Sequence, residues 1–131
     1  MSEGNVEIIR AGYGAWAERD LEAWLGTLHP DVEFLTSGAF PDLAPAYRGL
    51  DGMRSFWEAM LVPWEELELE VERVVEEGDR AAVDIHFQAR GRGSGVVADL
   101  RQGHALRFKD GRVTHVSAHA TFKEALDAAG L

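Results

Sequence analysis

Residues Leu100–Ala120 read LRQGHALRFKDGRVTHVSAHA, two alternating runs on either side of Asp110-Gly111. Asp-Gly fills the φ > 0 positions of a two-residue hairpin turn with least strain, so the stretch predicts a β-hairpin. Strand side chains alternate with period two. Leu100, Gln102, His104, Leu106 and Phe108 therefore share one face of the first arm. On the second arm Thr114, Val116, Ala118 and Ala120 share a face, with Val113, His115, Ser117 and His119 opposite. One face is mainly apolar and the other mainly polar, which predicts a half-buried hairpin. His104 is the ionisable group in the middle of the apolar row.

The rest of the chain arranges itself around this hairpin. Val6, Ile9, Tyr13 and Trp16 are spaced by three and four, which predicts an amphipathic helix from Asn5 to about Glu18. Gly12 and Gly14 cost that helix about 1 kcal/mol each relative to alanine, so they imply close packing or space left open. Asp20 is placed to cap a second short helix with Leu21, Trp24, Leu25 and Leu28 inward, ended by His29-Pro30. Asp31–Thr36 reads as a strand with Val32 and Phe34 on one face, and Ser37–Gly49 as a loop. Asp51 is read as the cap of a third helix bearing Met53, Phe56, Trp57, Met60, Leu61 and Trp64. From Glu66 the period becomes two, with a slip at Arg73-Val74-Val75 that reads as a bulge. Gly78-Asp79 turns the chain into Arg80–Arg90, where Ala81, Val83, Ile85 and Phe87 alternate with Ala82, Asp84, His86 and Gln88. Gly91, Gly93 and Gly95 loosen the next connection, and Thr121 to Glu124 reads as a capping box opening a last helix stopped by Gly130. Helices followed by an antiparallel meander predict one α+β domain, residues 1–131, with helices covering one face of a strongly curved sheet to make a cone.

Composition bounds the function. A chain of 131 residues, 46% hydrophobic and 27% charged, is of ordinary globular make-up. Its net charge of −10 repels phosphate backbones and anionic lipid, so neither nucleic acid nor a membrane is an expected partner. No long apolar run and no secretion signal are visible, and a cytoplasmic location is the default expectation. With no cysteine there is no disulfide, no thiolate metal site and no cysteine nucleophile.

Three local patterns carry a resemblance: Arg19-Asp20-Leu21-Glu22-Ala23 followed by His29-Pro30-Asp31-Val32-Glu33-Phe34; Tyr47-Arg48-Gly49-Leu50-Asp51-Gly52-Met53; and Phe108-Lys109-Asp110-Gly111-Arg112-Val113. In their order and spacing the chain resembles the SnoaL-like branch of the nuclear transport factor 2-like superfamily. The resemblance implies a cone-shaped α+β barrel, N-terminal helices packed on a curved antiparallel or mixed sheet, with an apolar pocket and commonly a homodimer. Relatives include ketosteroid isomerases, polyketide cyclases, dehydratases, epoxide hydrolases and non-catalytic binders. The isomerases' general-base aspartate falls on Phe34, their oxyanion-stabilising tyrosine on Gly12 with Tyr13 one position away on a different face, and their protonated aspartic acid on His104. The cyclases' acid/base aspartate falls on Ala118.

His104 is the candidate catalytic residue, since an imidazole can accept or donate a proton near neutrality. The alternative is a core histidine satisfied by a carbonyl or by Gln102. The expected ligand-binding residues are Trp16, Phe34, Tyr47, Phe56, Met60, Ile85, Gln102, Leu106, Val116 and Ala118; Tyr47 could equally pack on the third helix. Asp84, His86, Gln88, His115 and His119 fall on the polar outer face, where i, i+2 side chains have no cavity to converge on. They are expected to form a homodimer interface, not a metal site. The expectation is a domain that binds a small apolar organic molecule, as a cofactor-free isomerase, cyclase or dehydratase using His104, or as a non-catalytic binding or dimerisation module.

Overall fold

The structure is a computed structural model that describes residues 2–36 and 43–131. Positions 37–42, the first part of the expected loop, lie outside the described residues. Helix α1 (Ser2–Ala17) and α2 (Leu21–Leu25) lead into β1 (Leu28–Leu35), then β2 (Ala46–Arg48), α3 (Gly49–Leu61), β3 (Trp64–Glu77), β4 (Arg80–Gly91), β5 (Val97–Lys109), β6 (Arg112–His119) and α4 (Phe122–Ala129). The six strands form one mixed sheet in the order β2-β1-β6-β5-β4-β3, antiparallel throughout except for the parallel pair β1 and β6. It is an open sheet with β2 and β3 as edges, so the architecture is a cone whose wall does not close into a full barrel.

The Asp110-Gly111 hairpin forms as its residues dictate, both in the left-handed region at φ 54° and 75°. Its second arm departs from strict alternation. The register shifts after Arg107, so Phe108 pairs with Val113 while Arg107 pairs with His115. Thr114 is the extra residue, and the bulge turns Val113 inward, correcting its expected place on the polar face. The bulge expected in the acidic strand lies slightly earlier than the slip suggested. The register shifts between Val71 and Arg73, leaving Glu72 as the extra residue and carrying Val74 to pair with the core residue Val83.

Other boundaries moved for local reasons. Asp20 does cap α2, accepting from Ala23 N at 3.1 Å, but the helix stops at Gly26 and His29-Pro30 already lies in β1. Pro30 is tolerated there because the β1–β6 register is interrupted between Leu28 and Glu33, where no donor is demanded of it. Tyr47-Arg48 is strand β2, paired with Glu33 and Phe34, rather than loop. α3 starts at Gly49, held at φ 71°, with Arg48 as an N-cap that makes no side-chain bond. Asp51 sits inside the first turn, where its charge favours the helix dipole.

α1, α2 and α3 pack on one face of the sheet and bury Ile9, Trp16, Trp24, Met53, Phe56 and Trp57 against Val32, Val83, Ile85 and Phe87. α4 packs on the other face, on β4 and β5, which corrects the expectation of helices on one face only. Small residues make that seat: Ala82 and Ala105 meet Ala125 and Ala129. A Cβ on Gly103 would lie 2.4 Å from the Thr121 carbonyl oxygen and 2.7 Å from Phe122 Cα, so only glycine lets α4 lie this close. Thr121 accepts from Glu124 N at 3.1 Å at one end of α4, and Gly130 closes the other at φ 74°.

Candidate functional site

An apolar cavity of about 70 Å³ lies between α1–α3 and the sheet. Its walls come from β1, β3, β4, β5 and β6 as well as the helices. In a flat sheet β1 and β3 would stand about 19 Å apart, four strand spacings, so one small cavity can touch both only because the sheet curls around it.

His104 projects from β5 into this space and is 7% exposed. Its Nδ1 lies 2.5 Å from the Tyr13 hydroxyl and its Nε2 lies 3.4 Å from Gln102 Oε1. Phe34 stands edge-on to the imidazole at 6.3 Å. Burial pushes the His104 pKa down to about 4, with a smaller repulsive contribution from His119. Burial of the hydroxyl pushes Tyr13 above the ordinary tyrosine value, although the residue as a whole is partly exposed. Near neutrality both members of the pair are therefore uncharged, and among the described residues no acidic or basic side chain other than His104 lines the cavity.

Tyr13 is the residue that alignment with the isomerases assigned to another face. The helix itself carried the correct signal, because Tyr13 falls on the same three-and-four stripe as Ile9 and Trp16. Gly12 adds the reason the pair can meet. A Cβ there would sit 3.3 Å from Thr27 Oγ1, so glycine keeps α1 close to the segment between α2 and β1.

Of the residues expected to contact a ligand, Trp16, Phe34, Phe56 and Met60 line the cavity from the helices and β1, and Gln102, Leu106 and Val116 line it from β5 and β6. Three do not. Tyr47 lies behind Phe56, ring centroids 5.3 Å apart, with its hydroxyl accepting from Ala44 N at 3.1 Å. Ile85 and Ala118 are fully buried in the sheet beside Gln102 and His104. Trp24, Thr27, Leu67 and Leu69, not among the expected site residues, also belong to the lining, as do Ile9, Phe87 and Val113. Leu67 and Leu69 were visible as the apolar face of an alternating strand, but nothing in that alternation says which cavity the face serves. The aromatic wall is continuous: Trp16 and Phe56 centroids are 5.8 Å apart, and Phe34 stacks on Phe56 at 4.3 Å.

The polar outer face forms pairs rather than a cluster. His86 Nε2 meets Asp99 Oδ1 at 2.6 Å, and Gln88 Nε2 donates to Asp99 Oδ2 at 3.1 Å. Those contacts hold the Asp99 carboxyl below its usual range. Ser117 Oγ and His119 Nε2 are 2.7 Å apart, and Arg101 pairs with Glu72. Among the described residues no three His, Asp or Glu side chains converge as metal ligands, and no helix is long and apolar enough to cross a membrane.

Comparison with known proteins agrees with this geometry. The model of the SnoaL-like domain matches residues 9–116. No curated protein matches the sequence. Among solved structures, an NTF2-like protein of unknown function from Burkholderia pseudomallei K96243 is 26% identical, with 98% of each chain covered and a TM-score of 0.81. TerC, co-crystallised with polyporic acid, is 25% identical over 96% of this chain and 97% of its own, also at TM-score 0.81. A putative SnoaL-like polyketide cyclase from Jannaschia sp. CCS1 shares the fold at 20% identity, 97% and 91% coverage and TM-score 0.77.

Proposed function

Because the chain belongs to the SnoaL-like domain family, a fold that hosts many chemistries, we propose a function from the cavity itself: it binds a small, neutral, apolar organic molecule, held in orientation by the Tyr13–His104 pair. The observation that carries this reading is a hydrogen-bonded phenol and imidazole in a mainly apolar, aromatic-walled cavity. A few convergent polar groups in an apolar concavity are the common make-up of a small-molecule site. An ionised ligand is disfavoured, because no charged partner among the described lining residues offsets the cost of burying it. The organic molecule bound to the related TerC gives the same direction to the reading.

Binding without turnover is favoured over proton transfer by a specific feature. A general base works best with a pKa near the operating pH, and His104 at about 4 accepts a proton poorly at neutrality. Native mass spectrometry of the purified chain, with titration of one-ring hydrocarbons followed by tryptophan fluorescence, tests the binding reading. A bound mass, or saturable quenching of Trp16 and Trp24 in the lining, is expected. No retained mass and no saturable response would refute it.

The outer sheet face, with Asp84, His86, Gln88, His115 and His119, is also proposed to join two copies of the chain. It is supported by the cross-strand polar pairs His86–Asp99 and Gln88–Asp99 on that face. Partner and cavity then use opposite faces of the same strands.

A further inference from the structure

The protons along the polar wall of the cavity can be counted. Gln102 presents Oε1 to His104 Nε2 at 3.4 Å, and an amide oxygen only accepts, so the proton between them belongs to Nε2. A neutral imidazole carries one N–H, which leaves Nδ1 a lone pair and makes it the acceptor of the Tyr13 phenolic proton at 2.5 Å. The Tyr13 oxygen then has only lone pairs to offer. Thr27, the other hydroxyl among the described lining residues, donates to the Trp24 carbonyl at 2.7 Å and is likewise left as an acceptor. Both hydroxyls among the described lining residues have committed their protons to the protein. Among the described lining residues the groups that keep a donor are the Gln102 amide nitrogen and the indole N–H groups of Trp16 and Trp24, and Gln102 meets His104 at Nε2, the ring nitrogen that Tyr13 does not use.

Resting on the reading of this cavity as a ligand site, we propose that its ligand is an un-ionised hydroxyl compound, a phenol by the aromatic walls, which donates its proton to the Tyr13 oxygen. A carbonyl compound of the same size finds no donor at Tyr13. His104 is a positioning residue in this arrangement: with both nitrogens occupied it touches no ligand, and its tautomer decides that Tyr13 accepts rather than donates.

The test uses the full chain and three one-ring probes: toluene, phenol and cyclohexanone, titrated into the wild type and Tyr13→Phe. Tyr13→Phe is expected to weaken phenol about fivefold to tenfold, the scale of one neutral hydrogen bond, and to leave toluene and cyclohexanone within about twofold. If the variant weakens cyclohexanone as much as phenol, or instead of it, Tyr13 donates and the proposal is overturned while the ligand site stands. If toluene and the other probes all fail to bind the wild type, the site reading falls and this inference with it. Nitrogen-15 NMR of the wild-type histidines gives a check independent of any variant's folding. His104 protonated on Nε2 supports the proposal, and protonation on Nδ1 overturns it.

Discussion

His104 makes the stability of this fold depend on pH in a way that can be isolated. The imidazole titrates near 4 when folded and near 6.5 when exposed in the unfolded chain. A base whose pKa is depressed by folding contributes its full stability above the unfolded value and loses it as pH falls towards the folded one. Between those values the unfolded chain binds the extra proton. Integrating that proton uptake from pH 7.5 to pH 5 gives a loss of about 2 kcal/mol from this one group. The assay is urea unfolding of wild type and His104→Leu at both pH values, followed by tryptophan fluorescence. Wild type should lose about 2 kcal/mol more than the variant, because every other titrating group is common to both. The Asp99 and Glu33 carboxyls, both held below their ordinary values, titrate beneath this window and do not disturb the difference. Identical pH dependence in the two proteins would mean that the protonated ring reaches water without cost, and the picture of a desolvated Tyr13–His104 pair would be wrong.

Gly103→Ala should destabilise the chain by about 1–3 kcal/mol, as overpacking does, since its methyl would press on Thr121, Phe122 and Ala125; a thermal melt matching wild type would show that α4 is not seated there. Ketosteroid isomerase and aromatic-polyketide cyclase assays should show negligible turnover, because Phe34 and Ala118 stand where those chemistries place carboxylic acids; product formation abolished by His104→Ala would refute this. Light scattering at micromolar concentration should report a dimer that dissociates in a His86→Glu/His115→Glu double variant, and a wild-type monomer, or a dimer indifferent to the change, would remove the outer-face interface.

Local patterns in the chain were enough to determine most of the secondary structure. Asp110-Gly111, the alternation in Arg80–Arg90 and the Thr121 cap each act through neighbours within a few residues, so period and turn chemistry reveal them directly. The same holds for the stripe that points Tyr13 inward: helix periodicity placed it correctly where alignment to relatives did not. What the sequence could not decide is where separate elements meet. The bulge at Thr114 that turns Val113 inward depends on how β5 and β6 pair, and the seat of α4 on the outer face depends on a Gly103 contact with residues about twenty positions further along the chain. His104 was legible as an ionisable group on an apolar row, yet its chemistry was not. Its low pKa, its tautomer and its partner arise from Tyr13, 91 residues away, brought to hydrogen-bonding distance only when the sheet curls and α1 closes over it. Desolvation and hydrogen bonding act through space over a few ångströms, so a pattern read along the chain shows which groups are available but not which of them touch.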